Sequence, residues 1–185
     1  MHDIEPYYKW RELYIASEDE RSPFYGRQYN EFQYTEKIYN YFIHPQWDDI
    51  GSQTLYMKIL YVDYRQSYTI IELIGEWNDA VNNDIMYLKR EIGDRMIRAG
   101  ISKFILMCDN VLNFHGDDDC YYQEWREDVE DHDGWVCLVN LQDHVFTEME
   151  QFGLNEHIDL GEELYDFEWR KYFPKDVYRV IKGTL

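Results

Sequence analysis

Cysteine, proline and basic residues are all scarce in this chain of 185 residues, and it contains no long apolar run. The three cysteines, Cys108, Cys120 and Cys137, are odd in number and lack C-x-x-C spacing, which argues against a disulfide framework and a zinc site. Cys108 and Cys137 fall inside apolar stretches, where a free thiol behaves as a small buried hydrophobe. No segment approaches the roughly 18 apolar residues that a membrane-spanning helix requires. Met1 to Trp10 is acidic and lacks the apolar region of a secretory leader, so a cytoplasmic location is expected. Only 18 Lys and Arg stand against 37 Asp and Glu, a formal net charge of −19. Such a surface repels phosphate backbones and anionic headgroups, so no nucleic acid and no membrane surface is expected as a ligand. A protein partner with basic residues is the better match.

Catalytic signatures are missing as well. There is no G-x-S-x-G, and Ser17, Ser22, Ser52, Ser67 and Ser102 have no evident histidine partner in the sequence. No glycine-rich loop with a following Lys succeeds a strand, so neither a P-loop nor a dinucleotide fingerprint is present. No cofactor and no catalytic residue is therefore nominated, and the chain reads as more plausibly non-enzymatic.

What the sequence does have is aromatic weight, with 18 Tyr, 9 Phe and 6 Trp, and a regular alternation of strand-like and helix-like segments. YTIIELI, Tyr68 to Ile74, is a short β-branched run ending at Gly75, as for a strand buried on both faces. Ile85, Leu88, Ile92, Met96 and Ala99 then recur at spacings of three and four up to Gly100, forming the stripe of an amphipathic helix capped by Asn82 or Asn83. KFILMC, Lys103 to Cys108, is the next strand, followed by a polar loop and a helix carrying Tyr121, Trp125 and Val129. WVCLVNL, Trp135 to Leu141, is the third strand, and Asp143 opens a helix with Val145, Met149 and Phe152 that Gly153 closes. His157 to Leu160 reads as a brief last strand, and Glu162 to Tyr172 as a last helix ending before Pro174. Leu55 to Tyr64 joins Tyr68 to Ile74 by a tight link, as an antiparallel hairpin. The expected fold is thus α/β: a mixed, largely parallel sheet with an N-terminal hairpin and flanking helices. It occupies residues 54–185. Residues 1–53, with scattered rings and a strand around Glu36 to Ile43, are expected to wrap over it as an aromatic extension.

Two stretches, ELIGEWNDAVNNDI and DGWVCLVNLQDHVFTEMEQFGL, together with this element order, resemble the STAS family of sulfate-transporter and anti-sigma-factor-antagonist domains. The resemblance covers roughly Leu55 to Phe173 and implies a non-enzymatic regulatory module that binds a protein partner. In the antagonists, the loop after the strand matching Lys103 to Cys108 carries an Asp-Ser-Ser-Gly-like motif whose serine a partner kinase phosphorylates. Laid without gaps, the motif falls on His115, Gly116, Asp117 and Asp118, with Asp117 where the phosphoacceptor would be. This departure implies a loop that does not follow the kinase-switched cycle and carries a fixed negative charge. The implied partner-binding loop comprises Asn113, His115, Gly116, Asp117 and Asp118.

The same residues admit blander readings. Asp117, Asp118 and Asp119 sit where a helix begins and are expected to complement its free N–H groups. With His115 they form the densest set of potential metal ligands. However, taking Asp117 as the first position of an EF-hand puts Tyr121 fifth and Tyr122 at the obligatory glycine, so no metal is assigned. His132, between Asp131 and Asp133, reads as part of a solvated turn. Two further classes remain open: a small hydrolase or transferase using the 113–119 loop as a polar pocket, and an acidic mimic of nucleic acid.

Overall fold

The computed structural model describes residues 4–185. Its centre is a five-stranded sheet in the order β3-β4-β5-β6-β7: β3 (Asp48–Asp49), β4 (Leu55–Asp63), β5 (Tyr68–Asn78), β6 (Lys103–His115) and β7 (Trp135–Val139). β3–β4 and β4–β5 pair antiparallel, while β5–β6 and β6–β7 pair parallel. The sheet is mixed, and its hairpin lies where the short link after Asp63 places it. A separate two-stranded ribbon, β1 (Lys37–Ile38) with β2 (Tyr41–Phe42), is all that forms of the strand expected around Glu36 to Ile43.

Alternation along the strands sends side chains into two cores. On one face Ile71, Leu73, Phe104, Leu106 and Leu138 meet Ile85, Leu88, Ile92 and Met96 of the crossover helix, and Trp125 and Val145 of the later helices. On the other face Tyr68, Ile70, Met107 and Val139 meet Trp10, Trp169, Val177 and Ile181. Covering on both faces explains why β5 is an almost unbroken apolar run. Side chains of the first fifty residues enter both cores, and Ile38, Ile43 and Trp47 form a third cluster with Tyr56 and Ile74.

Several elements differ from the sequence-based expectation. β5 does not stop at Gly75 but continues to Asn78. Gly75 adopts φ +119° and lets the Thr54 carbonyl come so close that a Cβ would lie 2.0 Å from its oxygen. The crossover helix is a relay: α1 (Asp79–Asn82), α2 (Asp84–Tyr87), a π-helical stretch Leu88–Gly93, and α3 (Asp94–Arg98). The Asn78 side chain caps it, accepting from Val81 N, while Asn83 takes a left-handed turn between α1 and α2. β6 runs seven residues beyond Cys108, so most of the expected polar loop is strand, its register shifting twice against β5. α4 (Cys120–Glu130) and α5 (Asp143–Gln151) occur as expected, though α4 buries Tyr122 in place of Tyr121. The expected last strand is a single parallel bridge, Cys137 to Asp159. The last helix, α6 (Pro174–Thr184), begins at Pro174 where one was expected to end. Proline has no N–H to lose in a first turn, whereas left-handed Gly161 and Asp166 break residues 162–172 into the short turns Glu162–Leu164 and Trp169–Lys171.

Candidate functional site

The 113–119 loop is a strand end followed by a short turn. Asn113, Phe114 and His115 pair with Glu76, Trp77 and Asn78 of β5. Phe114 is fully buried and meets the Phe152 ring edge to face at 6.1 Å. Gly116 lies flat against that same ring, where a Cβ would come within 2.6 Å of it, so no larger residue fits without displacing Phe152. The Asn113 amide donates to Glu76 Oε1 at 3.4 Å, and Glu76 Oε2 in turn accepts from the Tyr39 hydroxyl at 2.7 Å. The entry to the turn is therefore held by Asn113, Phe114 and Gly116.

The three aspartates have three different fates. The Asp119 carbonyl starts α4 by accepting from Tyr122 N and Gln123 N, while its carboxylate turns to His157 Nε2 at 2.8 Å. That hydrogen bond, helped by the imidazole's charge when protonated, holds the Asp119 carboxyl below its usual range against slight desolvation. Asp118 Oδ1 accepts from Cys120 N at 3.1 Å. Asp117 is exposed, three residues before the first helical residue, and has no hydrogen-bond partner among the described residues. The expectation that all three aspartates complement the free N–H groups of the helix start thus holds for the Asp118 side chain and is corrected for Asp117, which is unengaged, and for Asp119, whose carboxylate goes to His157. Because β6 is longer than foreseen, the chain has only Gly116–Asp119 in which to turn, and Asp117 is left at the outside of that turn. His115, the last residue of the strand, is exposed and does not converge with these carboxylates.

Other reactive groups are masked. Burial drives the Cys108 and Cys137 thiols far above their ordinary range. Cys120 is exposed, but a hydrogen bond to Asp118 raises its pKa as well, which disfavours a thiolate. His132 is exposed in the turn after α4. Among the described residues, one group of three carboxylates, Asp94, Glu124 and Asp128, lies within 4.8 Å. The Lys89 ammonium sits among them, bonded to Asp94, 2.6 Å from Asp128 and 3.5 Å from Glu124. That group is a clamp between the π-helical stretch and α4, already holding its cation.

Sequence reasoning missed a polar knot at the end of β7, beside the middle of β5 and β6. Glu72, the single charge inside YTIIELI, is 1% exposed and accepts from Arg170 at 2.7 Å and from Tyr7 N at 2.8 Å. Burial raises its pKa, and these donors oppose that. Arg170 also reaches Asp109 at 2.7 Å, and Asp109 accepts from Trp169 Nε1 at 3.0 Å and from the Asn140 amide at 3.2 Å. Asn140, left-handed at φ +58°, grips Phe167 through both its N–H and its carbonyl. Beside the knot, just beyond the carboxyl end of β7, opens a crevice of about 470 Å³ lined by Asp109, Asn140, Asp143, His144, Tyr165 and Asp166 among others. His144 Nε2 lies 2.7 Å from the Leu112 carbonyl, on the β6 side of that crevice.

No family model matches the chain, and no curated protein sequence does. Solved structures do. The Bacillus cell fate determinant SpoIIAA in its phosphorylated form is 14% identical, over 67% of this chain and 98% of that one, with a TM-score of 0.42. The anti-sigma factor antagonist SpoIIAA in its unphosphorylated form is 16% identical, over 68% and 96%, with a TM-score of 0.46. A Thermotoga maritima protein assigned as an anti-sigma factor antagonist is 16% identical, over 68% and 92%, with a TM-score of 0.45. These are STAS-fold proteins, the family that the two sequence stretches resemble. At such identities and scores they give this chain no activity and no partner. Among the described residues no helix is long and apolar enough to cross a membrane.

Proposed function

We propose that this chain is a non-enzymatic interaction module that presents the loop of Asn113, His115, Gly116, Asp117 and Asp118 to a protein partner bearing basic residues. One observation carries this reading: the turn is held at both ends while Asp117 and His115 project from it unengaged. Gly116 is fitted against Phe152, and Asp118 and Asp119 are engaged by Cys120 N and His157. Polar side chains offered from a rigid scaffold suit a contact made without reorganisation. The excess of negative charge favours a basic partner. A regulatory role of the anti-sigma-antagonist kind is what the sequence resemblance implies, with Asp117 giving the loop a permanent charge in place of a phosphorylation switch. In this reading residues 54–185 are the module and residues 1–53 brace it. A hydrolase or transferase would need His115 to meet carboxylates, and Asp118 and Asp119 are turned to other partners.

The test separates structure from recognition. Because Asp117 makes no internal hydrogen bond among the described residues, Asp117→Asn should leave stability within about 0.5 kcal/mol of wild type. Capture from native lysate followed by titration of the recovered partner should show about a tenfold loss of affinity, the scale of one lost charge-assisted contact. Asp117→Ser should weaken binding similarly unless a kinase modifies it. Equal affinity of all three proteins for the same partner would make the loop structural.

A further inference from the structure

The crevice beyond the end of β7 is the head of a longer trough. It shares Leu141, Asp143 and Tyr165 with a second depression of about 310 Å³, which shares Phe146, Leu160 and Glu162 with a third of about 280 Å³. The floor is apolar in the middle depression, where Leu141, Phe146 and Leu160 lie, and the depressions on either side of it are mainly polar. One wall is the segment from Gly161 to Phe167, fixed at both ends. Gly161, left-handed at φ +66°, packs so that a Cβ would meet the Leu138 carbonyl at 2.0 Å, and Phe167 is gripped by Asn140 at 2.8 and 3.0 Å. Tyr165 stands exposed between these anchors.

The charge that lines the three depressions is acidic, and the nearest cations, Arg170 and Lys171, line an adjoining hollow beside Asp109 and Asp166, with Arg170 already paired to Asp109 at 2.7 Å. Asp143, Asp166, Glu150, Glu162 and Glu163 are exposed and have no ion-pair partner among the described residues, and no Lys or Arg lines the three depressions. Asp143 and then Asp166 raise the Tyr165 phenol's pKa, in keeping with that field. Among the described residues, the three carboxylates that do converge are those around Lys89. The trough's carboxylates are therefore spread out, which suits charges distributed along a chain better than a single metal ion.

We propose that this trough is a docking groove for a basic peptide segment of a protein partner, with a Lys or Arg side chain along the Tyr165 ring between Asp143 and Asp166 and an apolar side chain on Leu141, Phe146 and Leu160. An acidic rim supplies orientation and speed of encounter, and the aromatic face and apolar floor supply the contact area. The groove is a second surface, distinct from the Asp117 loop, and does not depend on that loop's role.

The test is a fluorescence-anisotropy titration of the full chain with a labelled octapeptide alternating Arg and Leu. Its controls are an Arg–Ser peptide, a Glu–Leu peptide and spermine as competitor. The Arg–Leu peptide should bind best and more weakly as salt rises. Asp143→Asn with Asp166→Asn should weaken it about tenfold, and Tyr165→Ala about threefold. Asp117→Asn should leave it unchanged, so failure of the groove and failure of the loop read out separately. Equal binding to wild type and the groove variants would reduce the effect to adsorption on an acidic surface and overturn the proposal. So would equal binding of the Arg–Ser and Arg–Leu peptides, displacement by spermine as strong as by unlabelled Arg–Leu peptide, or no binding at all.

Discussion

Asp79 should make this protein less stable as pH rises through the weakly acidic range. It opens α1 almost fully buried, accepting from Trp77 Nε1 at 3.0 Å, Ile85 N at 2.8 Å and the Tyr122 hydroxyl at 2.6 Å. Burial pushes its carboxyl up from 3.8 to about 6, with neighbouring Asp84 acting in the same direction against those three donors. A carboxyl that holds its proton more tightly when folded stabilises the fold fully below its unfolded value and loses that contribution as pH climbs through the folded one. Going from 3.8 to about 6 corresponds to about 3 kcal/mol, at 1.36 kcal/mol per pH unit. In Asp79→Asn the amide oxygen keeps the bonds from Trp77 and Ile85, and its N–H₂ faces the Tyr122 oxygen, so the packing survives without the titration. Urea unfolding followed by tryptophan fluorescence between about pH 4 and pH 7 should show wild type losing about 3 kcal/mol more than the variant. Asp48, Glu72 and Asp84 are raised by burial too, so the difference between the two proteins is the informative quantity. Parallel pH profiles would refute the reasoning.

Three perturbations test the fold. Leu88→Ala, at a fully buried position between β-sheet and α4, should cost about 2–5 kcal/mol in denaturant unfolding, and a cost under about 1 kcal/mol would contradict its place in the core. Gly75→Ala sets a Cβ against the Thr54 carbonyl in a left-handed conformation and should destabilise by about 3 kcal/mol or more, against a change near zero if the strand can shift. A 54–185 fragment loses Trp10 and Trp47, bares Tyr56, Ile74 and Trp169, and should aggregate or melt well below the full chain. A monomeric fragment with the parent's melting temperature would show that the first 53 residues are dispensable.

How much was legible follows from where the signals lie in the chain. The hairpin, the three parallel strands and the Ile85–Met96 stripe could be read because each is a local apolar pattern, and local patterns survive into the fold. The outer half of β6 was hidden because Asp109 and Asn110 interrupt its apolar run. The Asp109 side chain points to the knot and the crevice, while bulges against β5 keep Val111 and Phe114 in the core. Pro174 was read as a stop although proline equally suits a start, and that reversal moved the last helix by a dozen residues. The knot joins Glu72, Asp109 and Arg170 across separations of 98 and 61 residues, which no local pattern encodes. Its one clue was Glu72 itself, since a carboxylate in a doubly covered strand requires a cation beside it. The aspartates of the loop were visible, but not their division of labour, because that depends on which residue the helix starts from.

The central claim, that the turn around Asp117 faces a protein partner, is tested most directly by site-specific photocrosslinking. A photoreactive residue is placed at position 117, or at position 179 on the exposed side of α6, in otherwise identical full-length protein within its native lysate. The account predicts a discrete partner adduct from position 117, reduced when His115→Ala accompanies it, and none of that adduct from position 179. Adducts identical from both positions, or a discrete adduct from position 179 alone, would contradict it.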